Sequence, residues 1–134
     1  MLSAAINNYV ENQVRNADPL DLIIMLYNKA ISCLKISKKA IEEGLDTPEQ
    51  VKKKTENLTR ATEILAYLQG CLNFEQGKEI AKNLHEIYDV LIQELVRANI
   101  ENNTEIISKT VEILEDLKKA WEDIKCGAPD SKTS

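Results

Sequence analysis

The sequence predicts an all-α fold, an antiparallel up-down four-helix bundle with a short N-terminal segment docked on it. Three observations predict it. Leu, Ile, Ala, Glu and Lys dominate the composition while aromatics make up only 4%, a mixture that favours helix over sheet. Apolar residues recur at helical spacing along four long stretches. Short breaks carrying Gly, Pro, Asn or Thr separate those stretches, so helices adjacent in sequence become antiparallel neighbours. At 134 residues with 43% apolar content the chain makes one domain, able to bury roughly two-thirds of its unfolded-chain surface. Residues 1–125 form that domain, with 1–17 as its N-terminal segment and 126–134 as a disordered tail.

The N-terminal segment carries Ile6, Tyr9, Val10 and Val14, a weakly amphipathic spacing too short to be stable alone. Asp18-Pro19 opens the first long helix with an N-cap and a proline at the first helical position. That helix runs to Glu43 and stops at Gly44. Thr47-Pro48-Glu49-Gln50 supplies the next N-cap, first-turn proline and capping-box glutamine. The second helix reaches Leu72, with Val51, Leu58, Leu65 and Leu72 seven apart and Ala61 and Leu68 between them. Asn73 to Gly77 reads as a tight connection. The third helix, Gly77 to Asn99, buries Ile80, Leu84, Ile87, Tyr88, Leu91, Leu95 and Ala98. Asn103 caps the fourth, which extends to Lys125 and buries Ile107, Val111, Leu114, Leu117 and Trp121.

Leu22 to Tyr27 is apolar on more sides than one helix needs. Projected at about 100° per residue, Leu20, Ile23, Ile24, Tyr27, Ala30, Ile31, Leu34 and Ile41 form a core stripe. Leu22, Leu26, Cys33, Ile36 and Ala40 form a second stripe roughly 130° away. Asp21, Asn28, Ser32, Lys35 and Lys39 fill the polar arc. Ile64, Tyr67 and Cys71 lie off the seam of the second helix, and Ile106, Ile113 and Ala120 widen the apolar face of the fourth. Such surplus rows are covered by the N-terminal segment, by loops or by dimerisation, or they wall a groove for a partner's amphipathic helix or extended chain. Leu22, Met25, Leu26, Cys33, Ile36, Ile64, Tyr67, Ile106 and Ile113 are the candidate groove residues.

The net charge of −5 argues against nucleic acid as partner, since phosphate binding needs a basic surface. Lys52-Lys53-Lys54 reads as a solvated helix face. Three cysteines without C-x-x-C spacing support neither a disulfide framework nor a zinc site. They point to reduced thiols in a cytoplasm, with Cys33 and Cys71 as small buried hydrophobes. The first residues lack the basic and apolar regions of a signal peptide, and no stretch has the length of a membrane span.

Catalysis is not expected. One histidine, His85, cannot supply the paired Glu-x-x-His of a di-metal bundle, and Lys82 occupies the place of the required glutamate. His85-Glu86-Ile87-Tyr88 is followed by Asp89 where a zinc protease needs its second histidine. A histidine phosphotransfer domain is also a four-helix bundle with one exposed histidine. Here, however, Tyr88 and Asp89 stand where such domains place a lysine and a small residue. No carboxylate pair or phosphate-binding glycine loop emerges, and no cofactor or metal is expected.

Several stretches resemble one family. Ala17-Asp18-Pro19-Leu20 through Leu26-Tyr27, Leu72-Asn73-Phe74-Glu75-Gln76-Gly77 through Leu84, Tyr88-Asp89, Ala98-Asn99, Asn102-Asn103-Thr104 and Leu117-Lys118-Lys119-Ala120-Trp121 are similar in order and spacing to landmarks of the FliS family. The likeness extends over about residues 6–124. It implies a cytosolic chaperone that binds the disordered C-terminal segment of flagellin, prevents premature polymerisation and delivers its client to the flagellar type III export gate. It also implies that Ile6 and Tyr9, matching an isoleucine–tyrosine pair of the family, dock on the export gate and cover the groove when no client is bound. Asp18 replaces the family's serine and is an equally good cap. Asn28-Lys29 departs from the family pattern after the tyrosine. A structural helical dimer, its second stripe consumed by self-association, and phosphotransfer through His85 are the alternative readings.

Overall fold

A computed structural model describes residues 19–126; Ile6, Tyr9 and the rest of the N-terminal segment lie outside the described residues, as does most of the tail. The described chain forms α1 (Pro19–Glu42), α2 (Pro48–Gly70), α3 (Phe74–Glu101) and α4 (Thr104–Lys125), an all-α bundle.

Each boundary has a local cause. Thr47 caps α2: its hydroxyl accepts from the Gln50 amide at 3.1 Å, while the Gln50 side chain accepts from the Thr47 amide at 3.3 Å. The turn before it uses Gly44 at φ 108° and Leu45 at φ 53°. Asn73 caps α3 and Asn103 caps α4, their carbonyl oxygens accepting from Gln76 and Ile106 at 3.0 and 3.1 Å. Asn102 ends α3 in the left-handed region at φ 54°, a conformation asparagine tolerates.

The α3 start differs from the sequence expectation. A helical turn precedes Gly77, and the backbone breaks at Lys78 (φ 46°, ψ −115°) before the helix resumes. The asparagine cap is strong enough to organise a turn where the sequence read only a connection.

Cross-helix contacts give the topology. Asp21 pairs with Lys125, Asn28 accepts from Lys118 at 3.0 Å, and Lys35 pairs with Glu115 at 3.7 Å, so residue numbers fall along α4 as they rise along α1. Ser37 donates to the Lys54 carbonyl at 2.9 Å, setting α2 antiparallel to α1. Gln69 donates to the His85 carbonyl and to Asp89, and Lys54 donates to the Asn99 carbonyl at 3.0 Å, setting α3 antiparallel to α2. α4 closes the ring against both α3 and α1. The buried Lys54 ammonium, also bonded to Asn102 at 2.7 Å, occupies the carbonyl end of α3, where a positive charge is favoured.

The core contains Tyr27, Ala30, Ile31, Leu34, Leu58, Ala61, Leu65, Leu68, Leu84, Tyr88, Leu91, Leu95, Ala98, Ile107 and Leu114. It also contains Leu22, Leu26, Cys33, Ile64 and Ile106, five of the residues expected to line a groove; Ile106 also borders a surface depression between α3 and α4. On α1 the cause is geometric. The second stripe faces α2, as the Ser37–Lys54 bond and the approach of Arg60 to Cys33 demonstrate. The polar arc flanks α4 instead. Both apolar rows of α1 therefore have partners inside the bundle, and Ile23, Ile24 and Ile41 are only half-buried. Cys71, expected to be buried, is exposed because it lies just past the last turn of α2. Ile80 and Val51, assigned to core rows, are 54% and 43% exposed; each sits near the end of its helix.

At the centre the Tyr27 and Tyr88 hydroxyls are 2.6 Å apart. Desolvation raises both phenolic pKa values. For Tyr27 the neighbouring Tyr88 and Trp121 side chains partly offset it; for Tyr88 the neighbouring Tyr27 adds to it. The folded state thus binds these phenolic protons more tightly than the unfolded chain does. The associated stability is complete below the ordinary tyrosine value of 10.0 and is lost as pH rises above it. Urea melts from pH 8 to 11 should show wild type losing stability above pH 10 more steeply than the Tyr27→Phe/Tyr88→Phe variant. Either single variant, which leaves one buried hydroxyl unpaired, should be less stable than wild type by about 1–3 kcal/mol at pH 7.

Candidate functional site

Two apolar depressions stand out among the described residues. The first is a groove along the α3–α4 seam. Its upper part, about 640 Å³, is lined by Asn83, Glu86, Ile87, Val90, Leu91 and Ile113. Its continuation, about 280 Å³, shares Val90, Leu91 and Ile113 and adds Ile106 and Thr110 at the floor with Glu94, Arg97, Glu105 and Lys109 at the rim. α3 and α4 pack together less extensively than the other neighbouring pairs. Val90 and Ile113 are 57% and 39% exposed, so large apolar side chains meet water where the seam is thin.

The rim is ordered by charge. Arg97 bridges Glu94 at 2.8 Å and Glu101 at 3.3 Å. Hydrogen bonding to Arg97 lowers the Glu94 carboxyl below its ordinary value, and Glu94 in turn raises Arg97. These pairs are solvent-exposed, so they orient the rim more than they stabilise the fold.

The second depression, about 480 Å³, lies at the bundle end where α1 and α3 begin and α2 and α4 finish. Ile23, Leu68, Leu72, Ile80, Leu84, Tyr88 and Trp121 supply its apolar lining, and Asn73, Gln76 and Gly77 supply one wall. The Trp121 indole N–H is buried there. It lies near enough to Tyr27 to influence its ionisation but makes no hydrogen bond of standard geometry.

No single depression described above gathers the sequence-predicted residues. Ile113 lines the α3–α4 groove and Ile106 forms part of its buried floor. Ile36 is 41% exposed on α1, and Met25 and Tyr67 are half-buried. Burial, reinforced by Cys71, raises the Tyr67 hydroxyl to about 12. Sequence reasoning missed Val90 altogether and placed Ile80 and Ile87 in the core. Their arrangement at i, i+7 and i+10 was a usable signal, since it sets them on one side of α3.

His85 is partly buried, with its ring centroid 5.7 Å from that of Phe74. Among the described residues no group of three or more His, Cys, Asp or Glu side chains could hold a metal ion. No helix there is long and apolar enough to cross a membrane.

The sequence profile described as "Flagellar protein FliS" matches residues 1–128. The chain belongs to the FliS family. A FliS named flagellar secretion chaperone in Salmonella typhimurium is 36% identical over 116 residues, covering 86% of this chain and 82% of that protein. Its Vibrio cholerae counterpart is 33% identical over 115 residues, covering 86% and 81%. That of Campylobacter jejuni is 32% identical over 120 residues, covering 90% of each. FliS is a chaperone family rather than an enzyme family, so the phosphotransfer reading of His85 is set aside.

Proposed function

We propose that this FliS-family chain is a cytoplasmic export chaperone that binds the disordered C-terminal segment of flagellin. By covering the apolar face of that segment it prevents premature polymerisation and delivers the subunit to the flagellar type III export gate. The observation that carries the reading is the α3–α4 groove: exposed Val90 and Ile113 beside Ile87 and Leu91, with charged residues along one end. An amphipathic helix can bury its apolar side in such a groove and keep its polar side against the rim. Each large apolar side chain buried between guest and groove would contribute about 1.5–3 kcal/mol, offset by the cost of ordering the guest. Ile6 and Tyr9 would contact the export gate.

Sedimentation of mixtures with full-length and C-terminally truncated flagellin tests the proposal. A complex near one-to-one with the full-length protein, lost on truncation, is expected. Equal binding of the truncated flagellin would overturn it.

A further inference from the structure

We propose that the first turn of α3, Phe74–Gly77, is a hinged wall of the end depression, with Lys78 as its hinge. Three observations converge on this segment. Lys78 holds φ 46°, ψ −115° between two helical stretches, a conformation glycine adopts freely and a lysine holds only under strain. The turn is bound mainly to itself: the Gln76 and Gly77 amides both donate to Asn73, at 3.0 and 2.7 Å. Among the described residues no side chain of Phe74–Gly77 makes a hydrogen bond or ion pair to the bundle. Phe74 is 50% exposed and rests on His85. Finally, Gly77 lies so close to the next turn of α3 that an added Cβ would stand 2.8 Å from the Ala81 Cβ, so the closed position depends on a bare backbone there.

Outward rotation about Lys78 lets that residue relax into ordinary helix. It also withdraws Asn73, Gln76 and Gly77 from Leu68, Leu84, Tyr88 and Trp121, widening a depression of about 480 Å³. The strain at Lys78 offsets part of the cost of opening, which keeps the wall poised between positions. That the widened space admits an apolar side chain of the client rests on the flagellin reading above; the hinge itself does not.

The test uses the whole chain, whose single tryptophan lines the depression. In Lys78→Gly, acrylamide quenching of Trp121 should fall by about half, because glycine removes the strain that favours opening. Gly77→Ala should do the reverse, with helix content retained. Unchanged quenching in both variants would overturn the hinge. A flagellin C-terminal fragment should then associate several-fold more slowly with Lys78→Gly than with wild type. Equal association rates would overturn the gating role. Failure of the fragment to bind wild type would instead overturn the flagellin reading and leave the quenching results standing.

Discussion

Leu26→Asp is expected to abolish cooperative folding of the chain. Leu26 is 2% exposed within the core cluster, on the α2-facing side of α1. A carboxylate there forfeits about 1.5–3 kcal/mol of apolar burial. It must also be buried unpaired or taken up as a neutral acid, at a further cost of several kcal/mol. Against a typical stability of about 5–15 kcal/mol for a domain, that combination removes most or all of the margin. Leu26→Ala, which leaves only a cavity, should keep the fold and lose about 2–5 kcal/mol. Far-ultraviolet circular dichroism and urea melts of the two variants decide the point. A Leu26→Asp protein with native helicity and stability would return this side chain to a surface groove.

The opposite pattern is expected on α3 and α4. Val90→Asp and Ile113→Asp replace side chains that are already 57% and 39% exposed, so each should alter stability by about 0.5 kcal/mol or less. Each should nevertheless weaken flagellin binding at least tenfold, about 1.4 kcal/mol, because a charge would occupy the apolar floor of the groove. Val96→Asp is the control: Val96 is 50% exposed on the same helix but lies outside the groove lining, and its variant should bind as wild type does. Isothermal titration with a flagellin C-terminal fragment gives the affinities. If Val96→Asp weakened binding as much as Val90→Asp, the guest would not be using the α3–α4 seam.

These two expectations mark the border of what the sequence could disclose. Two caps were legible because each is written in nearby residues: Thr47 with Gln50 and Asn103 before α4 both act as read, whereas Asn73 was read only as part of a connection. The core rows of α2 and α4 were legible too, since Leu58, Leu65, Ile107 and Leu114 repeat at spacings that only one face of a helix satisfies. The two rows of α1 were visible, but not their partners. Periodicity reports the arc that is apolar; it carries no information on which neighbouring helix covers it. α1 packs against both α2 and α4, so most of the face it seemed to have to spare is covered within the bundle. On α3 the error ran the other way. Ile80 was read as core but stands exposed near the start of α3, and Val90, not assigned to the core, is exposed along the thin seam with α4. The break at Lys78 was illegible because lysine gives no local sign of a positive φ.

The constant antiparallel register also sets how the chain reaches its fold. Every helix lies beside its successor, and among the described residues the main docking between distant parts of the sequence is that of α4 on α1. Contacts are therefore mostly local, the topology associated with folding in microseconds to milliseconds. The exception is the last ring-closing step, for which the long loop from α1 to α4 must be closed before Asp21 meets Lys125 and Asn28 meets Lys118. Mutations along that one interface should slow refolding more than equally destabilising ones between α1 and α2, if ring closure is the rate-limiting event.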